Sequence, residues 1–169
     1  PGKKGDFLLS KGNGNAPEWA PPSALNIPQV VGVGKRTIDT NNVTYNTYHT
    51  IAFNTNPLQN SEYISYNTVN KAYTIKKAGY YLVNANIHCT EIPNTGAIPG
   101  VGGTMSILIV GGSTNLQTSA GYADGSGGMR ENISGTIYFP LNSIIPFQTA
   151  YTRSYNVHHG AASFTYLSE

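Results

Sequence analysis

The stretch that decides the fold is Tyr73 to Ile87, YTIKKAGYYLVNANI, which runs on through His88 and Cys89 to Thr90. It opens with Tyr73-Thr74-Ile75, breaks at Lys77-Ala78-Gly79, and resumes as a long alternating run. In an extended chain Tyr81, Val83, Ala85, Ile87 and Cys89 point to one side, because side chains alternate across a strand. That period of two predicts a strand with one buried face. Cys89 falls on this face and reads as a small core hydrophobe; a reactive thiol is the alternative. Gly79 is expected to need either a positive φ or space that a Cβ would fill, since it starts the second strand straight after a turn.

Working outward, strand signals recur and helical ones do not. Val30–Thr37, Tyr48–Asn54, Tyr63–Tyr66, Met105–Val110, Ile133–Leu141, Ile144–Ala150 and Ala162–Tyr166 all read as strands. Leu141-Asn142-Ser143 reads as a tight turn between two of them. Such a series, about eight to ten strands in roughly 140 residues, suits a β-sandwich or jelly roll. Glu91–Gly103, Gly112–Gly128 and Thr152–Gly160 read as long irregular loops, the kind that in a compact domain either carry function or are disordered.

Composition narrows the class. Of the 169 residues 39% are hydrophobic, enough for one core, but only 11% are charged and the net charge is +2. A balance that weak and scattered argues against a nucleic-acid groove and an anionic membrane surface. The 12 Tyr and 19 Gly fit a rigid β-protein working outside a cell or on a particle. One cysteine excludes an internal disulfide, and no stretch is apolar enough to span a bilayer as a helix. The start at Pro1, with no visible signal peptide, suggests a piece of a longer protein.

No catalytic constellation stands out, so an enzyme is not expected. GGSTN and GSGGM read as turns, and the acidic residues are dispersed. No metal site and no cofactor are expected. His158 and His159 are adjacent, and neighbours in an extended chain point to opposite sides. Calcium would need several oxygen ligands, of which only Asp124 in its loop is a candidate. The segment YTRSYNVHHG gathers Tyr151, Arg153, Tyr155, His158 and His159, a mixture common in recognition loops. Tyr122, Asp124 and Arg130 form a second candidate contact. Exposed polar aromatics are also ordinary in Tyr-rich β-proteins, and that alternative stays open. Asn42-Val-Thr and Asn132-Ile-Ser have glycosylation spacing.

From Tyr48 to its end the chain resembles the C1q/tumour-necrosis-factor family. Gly79 and Tyr80-Tyr81 stand where that family has its Gly-x-Tyr, Ile51–Thr55 matches an early Ile-x-Phe strand, and ASFTYLSE matches the closing strand. Asn142-Ser143 stands where the family commonly has Gly-Asp. The resemblance implies an all-β jelly-roll sandwich assembled as a homotrimer.

Ahead of it, GDFLLSKGNGNAPEWA resembles a short module of bacteriophage tail-fibre proteins, through Gly5, Phe7, Leu8, Ser10, Gly12, Gly14, Pro17 and Trp19. Lys11 and Leu9 depart from its common Asn and Thr. So few residues cannot bury Phe7, Leu8 and Trp19 alone, whereas three copies can. A plain linker whose Trp packs on the next domain is the alternative. The expected organisation is a trimerising collar or linker over 1–28 and a head over 29–169. The expected role is the receptor-binding head of a tail fibre or similar virion appendage, gripping a host-surface glycan or protein multivalently. A structural trimeric cap and a secreted C1q-like signalling or lectin protein are the alternatives.

Overall fold

The computed structural model describes residues 2–21, 24, 27–93, 95, 104–111, 114–121 and 128–169; over 104–111 and 114–121 it describes the backbone path. The strands are β1 (Phe7–Leu9), β2 (Glu18–Ala20), β3 (Gln29–Arg36), β4 (Thr40–Val43), β5 (His49–Thr50), β6 (Thr55–Gln59) and β7 (Ile64–Asn67). They continue as β8 (Ala72–Ile75), β9 (Gly79–Glu91), β10 (Thr104–Gly111), β11 (Thr114–Gly121), β12 (Gly128–Phe139), β13 (Ile144–Tyr151) and β14 (Tyr155–Ser168).

Two six-stranded antiparallel sheets face each other. The first runs β11-β10-β13-β8-β7, with β5 also on β13; the second runs β12-β9-β14-β3-β6, with β4 also on β14. The alternation in β9 is realised: Tyr81, Val83, Ala85, Ile87 and Cys89 are all buried between the sheets. Their partners in register on β12 and β14 bury the same way, including Ile133, Ile137, Ala162, Phe164 and Tyr166. Phe53, Tyr73, Phe147 and Phe164 knit the two sheets, with ring centroids 4.8–6.1 Å apart. Each such pair adds about 0.5–1.5 kcal/mol beyond its area burial. The Tyr73 hydroxyl donates to Asn56 Oδ1 at 2.9 Å, so the ring enters the core without stranding a polar atom.

Both expected turns form. Gly79 has φ +148°, and a Cβ on it would strike the Ser168 carbonyl oxygen and come within 2.7 Å of the Tyr166 ring. Asn142 takes the left-handed conformation at φ 65°, and its N–H donates to the Ile75 carbonyl at 2.9 Å.

Other expectations need correction. Much of Gly112–Gly128 is not irregular: β11 pairs residue for residue with β10. Its sequence, TNLQTSAG, is too polar for an apolar run to announce it; ladder hydrogen bonds to β10 hold it instead. Thr152–Gly160 is a turn of three residues, after which β14 begins at Tyr155 by pairing with Glu91. Of Tyr48–Asn54 only His49–Thr50 is strand. The N-terminal segment carries a strand pair: β1 and β2 form a hairpin with Leu8 opposite Trp19, and neither strand joins the two large sheets.

Candidate functional site

Where β12, β9 and β14 lie side by side, their outward face carries a cluster the alternation rule alone does not produce. Along β14 the residues opposite Cys89 and Ile87 are Val157 and Gly160, so two residues, His158 and His159, stand against the single His88. This is a β-bulge. It shifts the alternation by one: Val157 and Gly160 are buried, while His158 is half-buried and His159 exposed. Both imidazoles therefore flank His88, at centroid distances of 5.3 Å and 4.8 Å. The expectation that adjacent histidines diverge is corrected here, because it assumed unbroken strand geometry.

Gly160 makes the bulge possible. A Cβ there would lie 2.5 Å from the Asn86 carbonyl oxygen and 2.6 Å from the Ile87 side chain. From the core side Arg36, 1% exposed, holds the bulge in place. Its Nε donates to the His158 carbonyl at 2.8 Å and its guanidinium reaches the Val157 carbonyl at 3.4 Å. It also donates to the Ala52 carbonyl at 3.1 Å and to Thr40 Oγ1 at 2.5 Å. Burial lowers the Arg36 pKa from its ordinary value.

Each imidazole has its own setting. His158 Nδ1 pairs with Asp39 Oδ1 at 3.1 Å and its Nε2 meets Thr90 Oγ1 at 2.8 Å. His88 Nδ1 is buried with no hydrogen-bond partner among the described residues. The His88 pKa is lowered, first by burial, then by His159, His158 and Arg130; Asp39 opposes this. Register places Arg130 opposite His88 and Asn132 opposite Asn86. Asn86, Ile87, His88, Arg130, Asn132 and His159 line a hollow of about 260 Å³. Next to it lies a second hollow of about 270 Å³ whose lining includes Val33, Asn84, Ser134, Ala161 and Ser163.

Of the expected contact residues, Arg130, His158 and His159 come together here. Tyr151 and Tyr155 do not: they are 2% and 0% exposed, and their rings meet edge to face at 5.9 Å. They are inward residues of β13 and β14, so core packing claims them, correcting their assignment to a recognition loop. The Tyr155 hydroxyl lies 2.8 Å from Thr149 Oγ1 and donates to the Thr149 carbonyl at 3.1 Å; burial pushes its pKa up to about 12. Arg153 is mostly buried and pairs with Glu91 at 3.3 Å, tying the turn to the end of β9. Tyr122 and Asp124 lie outside the described residues. His88 had not been singled out; its outward parity in β9, the opposite of Ile87 and Cys89, was the available signal. Among the described residues no three His, Cys, Asp or Glu side chains are grouped to hold a metal ion.

No family model matches the chain, and no curated protein matches it. Solved structures do. Eiger TNF from S. frugiperda is similar at TM-score 0.56 and 7% identity, covering 83% of this chain and 94% of that one. The globular domain of zebrafish complement 1qA is similar at TM-score 0.52 and 10% identity, covering 82% and 96%. The PRD1 vertex protein P5 is similar at TM-score 0.52 and 11% identity, covering 82% and 99%. Strand order, sheet pairing and these likenesses together show an all-β jelly roll of the TNF/C1q-like type.

Proposed function

We propose that the chain is the homotrimeric head of a virion appendage such as a phage tail fibre, attaching multivalently to a ligand on the host cell surface. In this reading residues 1–28 form a trimerising collar and residues 29–169 the head. The observation that carries it is the N-terminal hairpin. Leu8 and Trp19 are cross-strand partners, yet they are 57% and 54% exposed. A two-stranded hairpin standing apart from any larger sheet is marginal in water. Three hairpins around one axis would bury Leu8 and Trp19 together with the partly buried Phe7, offsetting the cost of ordering them.

The jelly-roll fold, shared with a phage vertex protein as well as with a TNF and a complement head, supports this setting. No helix among the described residues is long and apolar enough to cross a membrane. Contact with the host falls to exposed polar side chains, of which Arg130 and His159 are the grouped examples. Three copies raise avidity for a repeated ligand even when each contact is weak.

Light scattering on the purified chain tests the assembly: a trimer is expected at micromolar concentration, and Trp19 emission should shift to the red as dilution opens it. A monomer with intact Trp19 overturns the collar. Attachment of labelled head to host cells tests the role. A stable trimer that attaches to no host would leave a structural fibre cap in place of a receptor-binding head.

A further inference from the structure

The hollow beside the β14 bulge has a polar lining that the fold itself does not require. Arg130 extends from β12, His88 from β9 and His159 from β14, and Asn86 and Asn132, paired in the next outward row, also line it. We propose that this hollow is an oxyanion site, taking a phosphate or carboxylate group between the Arg130 guanidinium and the His88 and His159 imidazoles.

The donor set fits that chemistry. A guanidinium presents a planar fork matched to two oxygens of a carboxylate or phosphate, and an amide NH2 adds two further donors at each asparagine. Among the described residues no carboxylate forms an ion pair with Arg130, and no acidic side chain lines the hollow. His88 Nδ1 is a buried polar atom without a partner, which native structures seldom leave so. An oxygen of the ligand would supply that partner when the ring is protonated.

The same geometry disfavours a cation. A guanidinium at the hollow repels a cation. The imidazoles lie side by side, with interplanar angles of 33° and 32°, and among the described residues no three His, Cys, Asp or Glu side chains are grouped to hold a metal ion. A volume of about 260 Å³ is enough for a phosphate or a single acidic sugar unit.

Binding should strengthen as pH falls through the histidine range. The charged and titratable groups facing His88 are His158 and His159 of β14, Arg130 of β12, and Asp39 just ahead of β4. Three of the four disfavour its protonation, and a bound anion would favour it.

The experiment is thermal melting of the full chain in sodium phosphate against sodium chloride at equal ionic strength, near pH 6 and near pH 8. A ligand that binds only the folded state raises its melting temperature. The expected result is a higher melting temperature in phosphate, more so near pH 6, with that gain lost in R130Q and in H159Q. Each variant is judged against its own melting in chloride. Histidine Cε1–H resonances followed during the phosphate titration should move for His88 and His159. A glucuronic-acid oligosaccharide, set beside its neutral counterpart, separates a sugar-borne carboxylate from free phosphate as the source of the anion. Equal melting in both salts, a gain that survives in both variants, or stabilisation by zinc chloride in place of phosphate overturns the proposal. None of these outcomes depends on whether the head attaches to cells.

Discussion

The Arg36 guanidinium donates to the His158 carbonyl at 2.8 Å from the core side of the sheet, directly beneath the bulge that presents His158 and His159. A bulge leaves backbone groups without ladder partners. Arg36 serves the His158 and Val157 carbonyls at once, while its other donors reach Ala52 and Thr40. A buried charge thus stands in for missing strand–strand hydrogen bonds, and the outward cluster depends on an inward side chain.

Arg36→Lys should therefore destabilise the head by at least about 2 kcal/mol, because an ammonium keeps the charge but cannot span acceptors placed for a planar fork. Denaturant unfolding measures the loss. The resonances of His88 and His159 should move in the same variant. Unchanged stability with unchanged histidine resonances would show that the bulge holds without the guanidinium.

Gly79→Ala meets two penalties, a φ of +148° and a Cβ driven against the Ser168 carbonyl and the Tyr166 ring. The expected cost is about 1–3 kcal/mol, seen as a lowered melting temperature. Its cause lies in the contact of β9 with the end of β14, so Gly79→Val should cost more. Equal melting of wild type and both variants would contradict the turn geometry.

Tyr155→Phe removes a buried hydroxyl bonded within Thr149, leaving the Thr149 carbonyl and Oγ1 short of a partner. A loss of about 1–3 kcal/mol is expected in chemical denaturation. Tyr155→Ala adds a cavity and should lose about 3–5 kcal/mol. Any loss of host attachment in such variants has to be compared at matched folded fraction, since Tyr155 is 0% exposed.

His88 and His49 both have pKa values lowered from 6.5, each chiefly by burial. A depressed histidine pKa means the folded state binds fewer protons than the unfolded chain. Stability is then complete above the unfolded value and declines as pH falls below it toward the lowered folded values. In chloride, the melting temperature should drop between about pH 7 and pH 5. His88→Gln should flatten part of that slope; a slope unchanged in both His88→Gln and His49→Gln would remove histidine as its source.

Alternation along Tyr81 to Cys89, the Gly79 break and the Asn142 turn were all legible in the sequence, because each depends on residues next to one another. Period-two patterning fixes which side of β9 is buried whatever lies across from it, and a left-handed turn selects Gly or Asn locally. Phe7, Leu8 and Trp19 are a set by resemblance to a tail-fibre module and not by local patterning; their collar role is a proposal, and the hairpin pairs Leu8 with Trp19. What the tertiary structure alone decided was register between strands far apart in the chain. Arg130 and His88 are neighbours only because β12 pairs with β9, and His158 and His159 share a face only because β14 carries one residue more than β9 opposite it. Tyr151 and Tyr155 looked like binding-loop residues because their composition is that of a loop; pairing of β13 and β14 turned both inward. One extra residue in one strand reverses every side chain beyond it, and no property of a single strand records how its partner is aligned.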